Sequence, residues 1–406
     1  MKIMLSAYAC EPGKGSEPAV GWNWASELAR KGNEVYVLTR ENNKTAILKE
    51  MKKIQCDKIN FIFYDLPMWL RWWKKGRRGV HLYYLFWQMG IYFKAKSLNN
   101  KISFDIIHHV TFVSVRQPSF LGLLGVPFIF GPVAGGERAP FALSKSFPLH
   151  GWLKDIIRDL VNQWVRFSPL MRLTFSQSKI IYVTSEQTKR LIPKKFHKKT
   201  LINLAIGSDI SQINIGAVES NNKSLHILYA GQLLYWKGIH FALHSFSILL
   251  TKFPDARFTI LGKGPDEQWL RQLASHLCIE HAIIWLEWLP RNEVNEVYKR
   301  HDVFLFPSLH DSGGMVALEA MSNGLPVVCL DLGGPGIIVD ETCGYRITTD
   351  GQSVKQVVNK LAEALWDYAN SETKKSRLTL GAFKRAGKMG WSTLVSDIYN
   401  DKLIDT

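Results

Sequence analysis

Between His301 and Arg346 the chain reads HDVFLFPSLHDSGGMVALEAMSNGLPVVCLDLGGPGIIVDETCGYR, and this stretch constrains the fold more than any other. Val303 to Phe306 is a short apolar run closed by Pro307, the pattern of a strand buried on both faces of a parallel sheet. Pro326 to Leu330 repeats it. Between the two, Val316 to Met321 carries strong helix formers at helical spacing, opened by Ser312-Gly313-Gly314 and stopped by Gly324. The sum is a compact β-loop-α-β unit. Its glycines allow a ligand to approach the backbone, and the N–H groups and positive dipole end of the helix suit a phosphate. Asp311 in the loop and Glu319 in the helix set two carboxylates where vicinal hydroxyls, which sugars supply in pairs, can donate to them.

The same rhythm runs along the rest of the chain. Lys2 to Ala9 and Val35 to Thr39 read as parallel strands joined by a helix near Val20 to Arg30, and Phe104 to Val110, Pro127 to Val133 and Lys179 to Ser185 as further strands. A polar stretch from Gly207 to Ser224 then interrupts the pattern and is the best linker. Strands at His226 to Ala230, Arg257 to Leu261 and Ile283 to Leu286 follow, alternating with helices. Two successive α/β halves imply an α/β protein of two Rossmann-like domains, with a ligand in a cleft between them. The expected boundaries are 1–207, a linker at 208–224, 225–384, and a terminal helix within 385–406. The glycine-rich loop Cys10 to Pro18, with Gly15, lies at the carboxyl end of the first strand, where doubly wound sheets bind ligands. It is neither a Walker A loop nor G-x-G-x-x-G, and an ordinary turn is an equal contender. His108 and His109 end one strand, and Gly135-Gly136-Glu137-Arg138 ends the next; all are expected to face the same cleft.

A formal net charge of +16 calls for an anionic partner: nucleic acid, an anionic membrane or a phosphorylated small molecule. No apolar run reaches the ~18 residues that span a bilayer, and the start MKIMLSAYACEPGKG turns polar too soon for a signal peptide, so a cytoplasmic chain is expected. Cys10, Cys56, Cys278, Cys329 and Cys343 are scattered without metal-binding spacing and read as small hydrophobes. From Leu66 to Phe104 there are eight Lys or Arg, no Asp or Glu, and ten aromatic residues. Such interleaving suits docking on an anionic membrane, equally with plain packing of the aromatics on their own domain. RNA binding is a poorer third, because no nucleic-acid module accompanies the charge.

HDSGGMVALEAMSNGLPVV resembles the E-x7-E signature of retaining nucleotide-sugar glycosyltransferases of family 4 (glycosyl transferases group 1), with Asp311 in the first acidic place and Glu319 in the second. Gly231-Gln-Leu-Leu-Tyr-Trp-Lys-Gly238 is similar to the Gly-Arg-Leu-x-x-x-Lys-Gly motif of the same enzymes, with Gln232 where Arg is usual and Lys237 in place to reach a phosphate. The resemblance implies the GT-B fold, a nucleoside diphosphate sugar donor held by the second domain, and no cofactor or metal. By the same resemblance, Asp311 holds sugar hydroxyls, Glu319 the ribose, and Lys237 with the N–H groups after Gly313 the diphosphate. Gly314, Met315 and Val316 continue that donor site, Gly262 and Leu289 lie near the base, and Gly15 faces the diphosphate from the other domain. His109 is implied to be catalytic, and His108 and His109 with Glu137 and Arg138 to serve the acceptor. Phe130-Gly131-Pro132-Val133 replaces the threonine-x-histidine-glycine common at that second strand end.

The expected function is therefore transfer of a sugar, with retention, to a saccharide or lipid-linked saccharide in cell-surface polysaccharide synthesis. The expected place is the cytoplasm, peripherally on the inner membrane face, with no nucleic acid as partner. The competing expectations are a nucleotide-sugar epimerase-like enzyme, and a basic membrane- or nucleic-acid-binding protein that keeps the fold without the chemistry.

Overall fold

Short runs of Ile, Val, Leu and Phe have no polar face to show water, so they are stable only in the middle of a layered structure, where each fully buried side chain contributes about 1.5–3 kcal/mol. The computed structural model describes residues 1–400 apart from Ser16, Lys75, Arg77, 209–223 and Trp288, with the side chains of Arg291 and Asn292 also left aside. It places those runs in two all-parallel sheets belonging to two separate units.

The first unit comprises residues 1–136, 158–206 and 391–406. Its strands are β1 (Lys2–Ser6), β2 (Glu34–Thr39), β3 (Ile59–Phe63), β4 (Ile106–His109), β5 (Phe128–Val133), β6 (Ile180–Val183) and β7 (Thr200–Ile202), in the order β3-β2-β1-β4-β5-β6-β7. Every pairing is parallel, for example Leu5 beside His108. One face carries the helix Val80–Ile102, whose Tyr83, Tyr84, Trp87 and Ile91 are fully buried against Phe128, Phe130 and Ile107. The helix Glu17–Arg30 packs with the C-terminal helix Trp391–Tyr399, which buries Trp391, Leu394, Val395, Ile398 and Tyr399 at the 3–4-residue spacing of a single helical face.

The second unit comprises residues 137–157 and 207–390. Its strands β8 (His226–Ala230), β9 (Arg257–Leu261), β10 (Ile283–Leu286), β11 (Val303–Phe306), β12 (Val327–Leu330) and β13 (Gly344–Ile347) run in the order β10-β9-β8-β11-β12-β13, again all parallel. Both sheets are doubly wound, and in each the chain order reverses between two central strands: β1 and β4 in the first, β8 and β11 in the second.

The boundaries differ from those the sequence suggests in two places. Residues 137–157, expected in the first domain, pack into the second unit, and that unit runs on to Gly390 rather than 384. Phe147 lies edge-on to Tyr235 with ring centres 4.9 Å apart, Ser146 Oγ is 2.9 Å from His240 Nε2, and His150 Nε2 is 2.8 Å from Asp266 Oδ1. These partners are about a hundred residues away in sequence, which is why composition does not reveal the excursion. The linker expected at 208–224 falls, except at its two ends, outside the described residues.

Candidate functional site

The strongest site lies at the reversal point of the second sheet. Loops leaving the carboxyl ends of β8 and β11 meet there, and doubly wound sheets bind their ligands at this place. After β8 the chain turns through Gly231 and climbs to Lys237 and Gly238; after β11 it runs from Pro307 to Gly314 before entering the helix Met315–Ser322. The two loops are tied together by backbone, with Leu309 N–H donating to Trp236 O at 2.8 Å. Gly238 has φ +71°, and a Cβ there would lie 1.8 Å from Pro307 O, so no other residue lets the loops close this tightly.

That closure brings two of the expected residues into direct contact. The Lys237 ammonium pairs with Asp311 Oδ2 and also lies 5.2 Å from the centre of the Phe306 ring. Asp311 Oδ1 accepts from Gly313 N–H at 3.0 Å and Gly314 N–H at 2.9 Å. Burial would raise the Asp311 carboxyl, but the Lys237 charge and hydrogen bond, with the two glycine N–H donors, reverse this and hold it below the usual aspartate value. The shorter side chain in the first acidic place thus folds back on its own loop, a turn typical of aspartate. Of the N–H groups after Gly313 that are expected to meet phosphate, that of Gly314 is spent on it, as is that of Gly313 itself. Met315 and Val316 open the helix beyond Gly314, which sits at φ +69° with no side-chain cap. Glu319 is half-buried one turn further along the same helix.

A third loop, unremarked in sequence, completes the wall. Gly334 N–H donates to Asp311 O at 2.8 Å, and a Cβ on Gly333, at φ +56°, would lie 2.0 Å from the same oxygen. His310, likewise missed, stacks on Trp236 with ring centres 5.2 Å apart, while its Nε2 lies 3.7 Å from Asp155 Oδ1; that carboxylate also accepts from Tyr235 Oη at 2.8 Å. The excursion of residues 137–157 therefore buttresses the loop that carries Asp311. A repeated Gly-Gly after an apolar strand is the only sequence sign of the third loop; the His310 contacts leave none.

The other expected residues are spread more widely. Gln232 is exposed, and its carbonyl accepts from Tyr229 Oη at 3.1 Å. Gly262, at φ +144°, presses on Gly231 O, joining the loop after β9 to the one after β8. Leu289 is half-buried; its neighbour Trp288 lies outside the described residues. In the first unit Gly15 is exposed, and a Cβ placed there would meet nothing within 4 Å, so space rather than contact surrounds it. Glu17, two residues on, accepts from Val113 N–H at 2.6 Å, and burial raises its carboxyl. Glu137 is buried and Arg138 exposed.

His108 and His109 do not share a cleft. Neighbours in a strand point to opposite faces. His108 is fully buried towards the C-terminal helix, its Nε2 2.6 Å from Gly131 O and its Nδ1 2.9 Å from Tyr399 Oη, which makes it a structural latch. His109 is buried on the other face between Phe130 and Tyr84. Burial lowers their pKa values to about 4 and about 3, so both stay neutral near pH 7. The five cysteines are free, three of them buried. Among the described residues no group of three or more His, Cys, Asp or Glu side chains is arranged to hold a metal, and no helix is long and apolar enough to cross a membrane.

The match to a known family falls on this same half. Residues 211–380 match the family of glycosyl transferases, group 1. An uncharacterized glycosyltransferase of Methanocaldococcus jannaschii is 34% identical over 108 residues, 27% of this chain and 27% of that protein. The D-inositol 3-phosphate glycosyltransferase of Corynebacterium urealyticum is 30% identical over 188 residues, 42% of this chain and 44% of that one. The aligned region thus spans less than half the length of these curated relatives. Solved structures match along the whole chain at low identity: HepE of Anabaena in complex with UDP and glucose has a TM-score of 0.62 at 14% identity, covering 98% of both chains. The apo form of the lipopolysaccharide outer core galactosyltransferase WaaB has a TM-score of 0.64 at 15% identity, covering 100% of both. The fold is that of the two-domain GT-B glycosyltransferases.

Proposed function

We propose that the protein is a retaining glycosyltransferase that moves a sugar from a nucleoside diphosphate donor to a saccharide or lipid-linked saccharide, in the synthesis of cell-surface polysaccharide. The observation that carries this is the Lys237–Asp311 pair, held by glycine-only turns at the reversal point of the second sheet. Negative charge grows on the departing diphosphate as the anomeric C–O bond breaks, and fixed donors aimed at that charge supply much of the rate. Lys237 provides a compact cation there, and the first turn of the helix Met315–Ser322 its positive end. Asp311 keeps the ammonium oriented, and its remaining lone pairs accept from sugar hydroxyls; Glu319 accepts from the ribose. The bond to the acceptor oxygen forms on the face the diphosphate leaves, and the acceptor proton passes to the leaving phosphate oxygen, so no enzyme nucleophile or metal takes part in this scheme. The UDP and glucose bound by HepE, and the activity in the name of WaaB, support the donor class and the polysaccharide role.

The acceptor side of the proposal is an anionic membrane surface. The basic aromatic segment divides: Tyr83, Tyr84 and Trp87 are core, and Lys74 lies 4.9 Å from the centre of the Tyr83 ring, its pKa lowered by burial. Met68, Trp69 and Trp72, by contrast, are exposed, with Arg78 nearby in sequence, as a lipid-facing tip requires. Lys75 and Arg77 lie outside the described residues.

Asp311→Asn and Glu319→Gln test the site. Each is expected to lower donor turnover by about 100-fold or more; Asp311→Asn also removes the counter-charge of Lys237 and is expected to cost about 1–3 kcal/mol of stability, as Lys237→Met does. Full turnover in both variants would remove these carboxylates from the chemistry.

A further inference from the structure

The helix Leu149–Trp164 is amphipathic, but turned inside out. Its apolar positions Leu149, Trp152, Leu153, Ile156, Ile157, Leu160, Val161 and Trp164 follow the 3–4-residue spacing of one helical face, and all are exposed. Leu149, Ile157, Leu160, Trp164 and the following Phe167 are each 62–74% exposed. The inward positions are polar instead. Asp155 is held by Tyr235 Oη, and Asn162 accepts from Arg116 Nε at 2.7 Å and donates to Gly135 O at 3.0 Å. A core-facing helix has the opposite arrangement; here the hydrogen bonds of Asp155 turn residues 149–157 outward on the second unit, and those of Asn162 turn residues 158–164 outward on the first.

An exposed apolar stripe of this length marks a surface that something covers. The charges around it say what. From Phe141 to Gln177 the only acids are Asp155, which is buried, and Asp159, which lies beside Arg158; Lys145, Lys154, Arg166 and Arg172 are all exposed. A self-complementary contact with a second copy would set this basic rim against its own image. An anionic lipid surface complements both parts, taking the apolar face into the acyl boundary and the cations at the headgroups. We propose that the outward face of the helix Leu149–Trp164, continued by Phe167, lies in the surface of an anionic bilayer. This deepens the membrane part of the proposed function and rests on it for its purpose, but it concerns different residues from Met68 to Arg78.

The test is co-sedimentation of the full chain with phosphatidylcholine vesicles with and without phosphatidylglycerol, beside size-exclusion chromatography and UDP binding. The unmodified protein is expected to bind the anionic vesicles. Ile157→Glu combined with Leu160→Glu, both at exposed positions, is expected to lower that partition by roughly tenfold or more. Lys154→Gln with Arg166→Gln and Arg172→Gln is expected to lose the preference for anionic over neutral lipid. Unchanged thermal unfolding and UDP binding in both variants shows that fold and donor site survive. Binding that persists in the Ile157/Leu160 variant but is lost in Trp69→Ala with Trp72→Ala overturns this inference and leaves the membrane reading standing. Failure of the unmodified protein to bind any vesicle overturns both. A dimer that the Ile157/Leu160 variant converts to a monomer, with no lipid binding, makes the stripe a self-interface and overturns it too.

Discussion

Replacing Lys237 by Met keeps the length and packing of the side chain over Phe306 while deleting its charge. Two effects follow, and they separate by assay. Lys237 and Asp311 are 18% and 14% exposed at their side chains, so the pair is largely sheltered. Removing the ammonium leaves Asp311 with its two glycine N–H donors but no counter-charge. A stability loss of about 1–3 kcal/mol is expected, below the larger figure for a carboxylate stripped of all partners. The effect on donor binding is separate: one charge-assisted hydrogen bond to phosphate contributes roughly 1.5–3 kcal/mol, or about 10- to 150-fold in affinity. The low end applies here, because Asp311 already offsets part of the Lys237 charge. Titration calorimetry with nucleoside diphosphates should therefore show a loss of about tenfold, and adding Asp311→Asn should recover part of the stability but none of the affinity. Nucleoside diphosphate affinity within about twofold of the unmodified protein would refute the placement of phosphate at Lys237.

Other outcomes follow from the same geometry. Gln232→Arg, at an exposed position in the loop that carries Lys237, should tighten nucleoside diphosphate binding by a few-fold and make it more sensitive to salt, checked by titration at two ionic strengths. Gly333→Ala combines φ +56° with a Cβ 2.0 Å from Asp311 O, and should cost about 2–4 kcal/mol in chemical denaturation. His108, His109 and His240 have folded-state pKa values lowered by burial to about 4, about 3 and about 3. The unfolded chain therefore binds more protons between those values and about pH 6.5, so stability is full above that pH and falls as pH drops, by about 1.4 kcal/mol per unit for each histidine. A melting temperature that stays flat from pH 7 to pH 5 would contradict this.

The strand-rich frame was legible in sequence because its signals are local. Runs such as VFLF at Val303 to Phe306 can satisfy themselves only in a parallel sheet, and Gly-Gly before a helical run leaves little choice of turn. Asp311, Lys237 and Gly238 were legible for the same reason: each belongs to a short loop after an apolar strand. What escaped depends on partners far along the chain. His108 looks like a cleft histidine until Tyr399, 291 residues later, closes on its Nδ1. Residues 137–157 join the second unit through Tyr235, His240 and Asp266, none of which is near in sequence. At Leu149 to Trp164 an apolar stripe at helical spacing lies on the outside, for a reason that spacing does not carry. Asp155 and Asn162, satisfied inward, turn that stripe to the outside.

Donor binding at Lys237 and Asp311 is tested most directly by a thermal-unfolding screen of the purified protein against nucleoside diphosphate sugars. A ligand that binds only the folded state at about a hundred times its Kd raises stability by about 2.7 kcal/mol. One donor is expected to stand out, with Lys237→Met and Asp311→Asn each shrinking its shift. Donor binding at this pair is contradicted if no nucleoside diphosphate sugar raises the unfolding temperature, or if the shift survives unchanged in both variants.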